Sequence, residues 1–269
     1  MEHTQKSNYG IVYSCYNQRS RDGEHFVPEH ALSYIVSGTM IFNDGVSEHV
    51  RAKGSFYLVR RNQLLKYTKI PPAHGEFKSL SIFLDQETLR KFGAEHNVTA
   101  KREVAGTMIA IEKNAVLETF LHSLMQYHET QGFNNKAVIE LKVKECLLLL
   151  LQFQPDLANV LFDFSEPGKI DLESFMNRNY HFNVGLERFA YLTGRSLATF
   201  KRDFEKLYNL SPHRWLLQKR LQEALFLIKE KGKSSSEIYL DLGFEDLSHF
   251  SYVFKKQFGV SPTEAGKGV

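Results

Sequence analysis

The order of apolar and polar positions changes character along the chain. From Tyr9 to about Asp85 the sequence reads as short runs rich in β-branched and aromatic residues: Ile11-Val-Tyr, Leu32-Ser-Tyr-Ile-Val, Thr39-Met-Ile-Phe, Phe56-Tyr-Leu-Val and Leu80-Ser-Ile-Phe-Leu. Asn43-Asp-Gly45, Lys53-Gly54 and Pro71-Pro72 separate them, residues that turn the backbone through their own φ preferences. Short strands at that spacing predict a small sandwich or barrel. After Asp85 the period lengthens to that of a helix. Val116, Phe120, Leu124 and Tyr127 predict one helix, and Ile139, Val143, Cys146, Leu150 and Phe153 predict a second. Gln131-Gly-Phe-Asn-Asn135 reads as the turn between them, so the pair is antiparallel. Leu147 to Leu151 make the second helix apolar nearly all round, which admits a helix buried in its own domain or a contact with a second copy.

Between Gln154 and Lys169 the periodicity is lost and Pro155, Pro167 and Gly168 break helices. This divides the chain into residues 1–155, a linker at 156–168, and 169–269, where helical patterning resumes.

The last part contains a repeat. Phe200, Phe204, Tyr208, Ser211 and Pro212 recur 50 positions later as Phe250, Phe254, Phe258, Ser261 and Pro262, and Gly194 recurs as Gly243. Each copy reads as helix, glycine turn, helix, Ser-Pro: Leu186 to Thr193 and Ser196 to Tyr208 in the first, Ser235 to Leu242 and Leu247 to Phe258 in the second. That order is the grammar of a helix-turn-helix, whose turn needs a glycine where φ is positive. Leu197, Phe200, Phe204 and Leu207 make the inward stripe of the first copy, and Leu247, Phe250, Phe254 and Phe258 that of the second. The outward residues, Arg195, Ala198, Thr199, Lys201, Arg202 and Lys206, then Ser248, His249, Tyr252, Lys255 and Lys256, suit a helix that enters a major groove, where base edges need hydrogen bonds and phosphates need cations. Between the copies, Ser211 as N-cap, Pro212 at the first helical position and the apolar run Trp215, Leu216, Leu221, Ala224, Leu225 and Ile228 predict a long connecting helix to Lys231. Gly232 ends it, and a serine near 234 to 236 with Glu237 predicts a new N-cap.

Charge sharpens this picture. The net charge is +3, but residues 1–180 carry 20 Lys+Arg against 21 Asp+Glu, while residues 181–269 carry 14 against 10. The positive balance sits in the repeated segment, as an anionic partner requires. With 42% hydrophobic and 24% charged residues the chain is neither disordered nor fibrous. Its longest apolar run, Cys146 to Leu151, falls far short of the ~20 residues that span a bilayer, so no membrane helix is expected. No secretory signal is expected at the start, and Cys15 and Cys146 form no metal or redox spacing, so a reduced, cytoplasmic setting is expected.

Ser236-Glu-Ile-x4-Gly-Phe-x3-Ser-x-Phe-x3-Phe-Lys-Lys-x-Phe-Gly-Val-Ser-Pro262 resembles the C-terminal signature of the AraC/XylS family of bacterial transcription regulators. Leu58-Val-Arg-Arg61, Glu140 to Phe153, Phe175 to Tyr180 and Thr199-Phe200-Lys201 are similar to the ExsA-type branch of that family. The resemblance implies an α+β chain: a small cupin-like β-barrel with a helical dimerisation pair, then an all-α DNA-binding domain with two helix-turn-helix units joined by a long helix. It also implies a homodimer formed through Ile139, Val143, Cys146, Leu150 and Phe153, promoter DNA and RNA polymerase as partners, and control by a partner protein rather than by a small effector. Three positions depart from the family pattern. Tyr239 stands where alanine is common, Asn209 replaces a glycine, and the arginine that often follows the last Ser-Pro is missing from Thr263-Glu-Ala-Gly-Lys267.

Enzyme readings find little support. A metal cupin needs several histidines and a carboxylate converging from neighbouring strands. The chain offers Glu24-His25, Glu29-His30, His49 and His74, but Arg60-Arg61-Asn62-Gln63 where a further histidine is wanted, and no nucleotide or hydrolase motif appears. No metal, cofactor or catalytic residue is therefore expected. Tyr34, Phe42, Phe56 and Tyr57 are candidates to line an effector pocket or plain core. Cys146, on an inward position, is expected to behave as a small hydrophobe. The expected function is a sequence-specific transcription regulator, more an activator than a repressor. The rivals are a metal-dependent cupin enzyme and a protein-interaction module that does not bind DNA.

Overall fold

The computed structural model describes residues 3–6, 10–129 and 135–267, which form two compact units, the first taking most of the chain to Ser165 and the second running from Glu166. In the first, the described strands are β1 (His3–Lys6), β2 (Ile11–Tyr16), β3 (Ser20–Val27), β4 (His30–Ser37), β5 (Thr39–Asn43), β6 (Glu48–Ala52), β7 (Phe56–Val59), β8 (Gln63–Ile70), β9 (Phe77–Leu84) and β10 (Met108–Ala110). They make two sheets, of order β1-β2-β9-β4-β7-β10 and β3-β8-β5-β6.

Antiparallel register in the larger sheet lines up Ile11, Ile82, Leu32, Leu58 and Ile109 across five strands. Because side chains alternate between faces, this row shares one face of the sheet. Helices α1 (Gln86–His96), α2 (Ala115–Glu129), α3 (Lys136–Phe153) and α4 (Ala158–Leu161) bury that face, with Leu89, Phe120, Leu124, Leu147 and Leu161 in the same core. A sheet covered by helices buries its apolar side without closing on itself. Among the described residues the strands thus make two sheets and no closed barrel, with β1 and β10 at the edges of one and β3 and β6 at the edges of the other.

The helical pair forms where the periodicity placed it, with two corrections. On α2 the buried residues are Leu117, Phe120, Leu121 and Leu124, and Val116 is exposed. On α3, Ile139, Val143, Cys146 and Leu150 lie inside the unit's own core, so the predicted dimerisation face is interior and only Phe153, 36% exposed, reaches the surface. A stripe in steps of four and three is what any helix shows when it lays one face on a sheet. On the opposite side α3 leaves Leu141, 67% exposed, and Leu148, 44% exposed. Asn135 caps α3, accepting from Ala137 N at 3.0 Å. The rest of the predicted turn, residues 131–134, lies outside the described residues.

Part of the expected linker, 156–168, has regular structure. A 3-10 turn at Pro155–Leu157 leads into α4, and Leu157, Val160, Leu161 and Phe162 are buried in the first core. Asn159 accepts from Lys101 N at 2.9 Å, tying this stretch to the same unit.

The second unit contains α5 (Leu172–Asn179), α6 (Leu186–Leu192), α7 (Leu197–Tyr208), α8 (Pro212–Lys231), α9 (Ser235–Ile238), α10 (Leu247–Phe258) and α11 (Pro262–Gly266). Two cores share one helix. Trp215 and Leu216 of α8 join Met176, Phe189, Phe200 and Phe204, while Leu221, Ala224 and Ile228 join Ile238, Phe244, Phe250 and Phe254. Tyr239 is accommodated, half-buried against the second core. Asn209 adopts the left-handed conformation of the glycine it replaces, φ +51°, which asparagine tolerates better than most residues.

Candidate nucleic-acid interface

Local sequence chemistry sets both recognition helices. Ser196 caps α7 by accepting from Thr199 N at 3.2 Å, and Asp246 caps α10 by accepting from His249 N at 2.6 Å. Gly194 and Gly243 hold positive φ in the preceding turns, +64° and +82°. Ser234 and Glu237 form the predicted capping box ahead of α9, whereas the Ser211 hydroxyl makes no cap bond to α8.

On α7, Phe200 and Phe204 point inward and Ala198, Lys201, Arg202 and Lys206 are exposed, with Thr199 half-buried at the rim. The inward stripe ends on Tyr208, packed between Phe204 and Trp215, so Leu207 is exposed, contrary to expectation. Arg195 also departs from its predicted outward role. Its side chain is only 7% exposed and is engaged with Asp203 Oδ2 at 3.2 Å, Thr193 O at 2.8 Å and Ile170 O at 2.9 Å. The Arg195 hydrogen bond and the Lys169, Arg195 and Arg202 charges hold the Asp203 carboxyl below its ordinary range.

On α10, Phe250 and Phe254 are inward, and Ser248, His249, Tyr252, Lys255 and Lys256 are exposed. Tyr252 is 66% exposed, a large ring displayed to solvent. Leu247, expected inside, is exposed beside the N-cap. At the 50-residue offset Ala198 pairs with Ser248, half-buried Thr199 with exposed His249, Arg202 with Tyr252 and Lys206 with Lys256, whereas Lys201 pairs with Ser251 and Lys255 with Glu205.

Arg220 on α8 is a further residue of this domain that the repeat does not reveal. Its Nε donates to Tyr180 O at 2.7 Å, its Nη2 to Phe182 O at 2.8 Å and its Nη1 to Gly243 O at 2.8 Å. A charged residue directly ahead of the inward Leu221 was the available signal.

Among the described residues the candidate metal ligands and the candidate pocket aromatics lie apart. His30 is buried, its Nδ1 accepts from Arg61 N at 3.3 Å, and burial with the Arg61 and Arg60 charges pulls it down to about 4. His49 engages Asp44 at 3.1 Å, and His74 is exposed. The side chains of Glu24 and His25 lie outside those described. Among the described residues no group of three or more His, Cys, Asp or Glu is placed to hold a metal ion. Tyr34 and Phe56 meet edge to face on the helix-covered side, ring centroids 6.2 Å apart, whereas Phe42 meets Tyr57 elsewhere at 5.3 Å. Both cysteines are free thiols, and burial pushes that of Cys146 up, away from reactivity. Among the described residues no helix is long and apolar enough to cross a membrane.

Residues 30–160 match the ExsA N-terminal regulatory domain, and residues 189–267 match a helix-turn-helix domain. The virulence regulon transcriptional activator VirF of Yersinia enterocolitica is 30% identical over 259 residues, covering 89% of this chain and 90% of that protein. The HTH-type transcriptional regulator ExsA of Pseudomonas aeruginosa is 27% identical over 246 residues, covering 89% and 87%. Among solved structures, ToxT of Vibrio cholerae spans 97% of this chain and 98% of its own at 12% identity and a TM-score of 0.43. With two capped helices each presenting a polar face beside a glycine turn, and with full-length relatives of this kind, the chain belongs to the AraC/XylS family of helix-turn-helix transcription regulators and is a DNA-binding regulator of transcription.

Proposed function

We propose that α7 and α10 enter successive major-groove segments on one face of promoter DNA and that the protein activates transcription there. The observation that carries this is the matched pair of outward faces. Ala198, Thr199 and Arg202 in one copy, and Ser248, His249 and Tyr252 in the other, occupy equivalent positions near the helix starts, all exposed but the half-buried Thr199, where short donors and ring edges meet bases. Lys201, Lys206, Lys255 and Lys256 then contact phosphates. Arg195 is assigned to holding Asp203 instead. Activation follows the name of the VirF relative, and RNA polymerase is the partner that such activation would engage.

The first unit serves as a regulatory and self-association domain of cupin-like ancestry, responsive to a partner protein or a small effector. Self-association falls to the outer side of α3, Leu141 and Leu148, in place of its buried stripe. The domains run to Ser165 and from Glu166, the setting is cytoplasmic, and no catalysis is assigned. A gel-shift titration with the upstream region of its own operon tests the reading: a sequence-specific, salt-dependent complex supports it, and equal affinity for scrambled DNA removes it.

A further inference from the structure

We propose that Arg220 is the positioning residue that fixes the two recognition helices relative to each other, by joining the loop ahead of the first helix-turn-helix to the turn inside the second. The proposal rests on the reading that both α7 and α10 contact DNA.

Arg220 lies on α8 where the helix passes from one core to the other, between Leu216 of the first and Leu221 of the second. Tyr180 O and Phe182 O, which accept from its Nε and Nη2, belong to the segment between α5 and α6. Gly243 O, which accepts from its Nη1, belongs to the turn between α9 and α10. The same two segments meet again where Asn183 Nδ2 donates to Glu245 Oε1 at 2.8 Å. Gly243 permits the approach: a Cβ there would stand 2.7 Å from His181 O and 2.9 Å from the Arg220 Cζ. One planar guanidinium therefore spans both halves.

A shared helix alone leaves freedom, because each head packs on its own part of α8 and long helices bend. Three charge-assisted bonds from one rigid fork remove that freedom in rotation as well as distance, which a lysine with a single nitrogen cannot reproduce. The consequence is read in DNA. Successive groove segments lie about 10 bp apart, so one added base pair turns the second segment by about a tenth of a turn, and a rigid pair of heads must resist that change.

The test uses the full chain, a duplex selected from random sequence by the wild-type protein, the same duplex with one base pair inserted between the two segments, and the same duplex with the second segment scrambled. Wild type is expected to lose at least tenfold in affinity on each altered duplex. Arg220→Lys is expected to bind the intact duplex about tenfold more weakly, to bind the scrambled duplex within twofold of wild type, and to lose threefold or less on the insertion. A retained insertion penalty, or equal weakening on intact and scrambled duplexes, overturns the proposal and leaves Arg220 a local structural residue. Indifference of the wild type to scrambling overturns the two-headed reading itself, and the proposal with it. If Arg220→Lys melts far below wild type, Asn183→Ala combined with Glu245→Ala loosens the same junction and is subject to the same comparison.

Discussion

Arg195 donates its Nε to Asp203 Oδ2 at 3.2 Å, so the first residue after the glycine turn is bound to a residue two turns along the recognition helix. The bond locks the angle between turn and helix. Arg195→Ala removes a charge-assisted bond and two carbonyl contacts, and should cost about 1–3 kcal/mol of stability in the second unit. DNA affinity should then fall by a similar factor on all sequences. A melting curve beside a titration on matched and mismatched duplexes checks both parts.

Arg202 is the contrasting case, 65% exposed and only loosely associated with Asp203, at 3.8 Å. Arg202→Ala should leave the melting temperature unchanged, cost about 1–3 kcal/mol of specific binding and relax preference at one base pair. Lys256→Ala should weaken binding to every sequence alike and lower the salt slope by about one unit. Equal losses on all sequences for Arg202→Ala would make it a phosphate contact.

His30 gives the first unit a pH dependence with a definite sign. Its folded value of about 4 lies below the ordinary 6.5, so between these limits the unfolded chain takes up a proton that the folded one refuses. Stability from this group is complete above about pH 6.5 and declines as pH falls toward 4, by roughly 2 kcal/mol at pH 5. Denaturant melts at pH 7.5 and 5 should show this loss, and His30→Asn should reduce the difference.

On α3 the two faces should respond oppositely. Leu150→Ala, in the core, should cost about 2–5 kcal/mol. Leu141→Glu with Leu148→Glu, on exposed positions, should leave stability within about 0.5 kcal/mol and weaken self-association. Sedimentation of the full chain at several concentrations reads the second effect. A monomer at tens of micromolar without any substitution would remove the self-association role.

Much of this architecture was legible in the residues because repetition exposes function that one copy hides. The Phe200/Phe204 and Phe250/Phe254 pairs fixed the inward faces of both recognition helices, and Gly194 and Gly243 fixed the turns. The misreadings have physical causes. Periodicity identifies a buried stripe without saying what buries it, so on pattern alone the α3 stripe fits a core and a dimer face equally well. Charge suggests exposure, so Arg195 and Arg220 were misjudged or missed, although arginine is the cation best suited to bond several carbonyls while half-buried. Strands β6 and β8, with Glu48-His-Val-Arg and Lys66-Tyr-Thr-Lys, carry too many polar residues for an apolar run to reveal them. Pro155 was read as a breaker, yet proline at the start of a helical turn is favourable, and the chain continues through α4 into the first core.

The central claim is that one chain places two helices in two successive groove segments. Hydroxyl-radical footprinting of the full chain on its selected duplex measures this most directly. The account predicts, for each bound copy, two protected segments about 10 bp apart on one face of the DNA, with Tyr252→Ala clearing only the segment assigned to α10. A single protected segment per copy, unchanged by Tyr252→Ala, would contradict it.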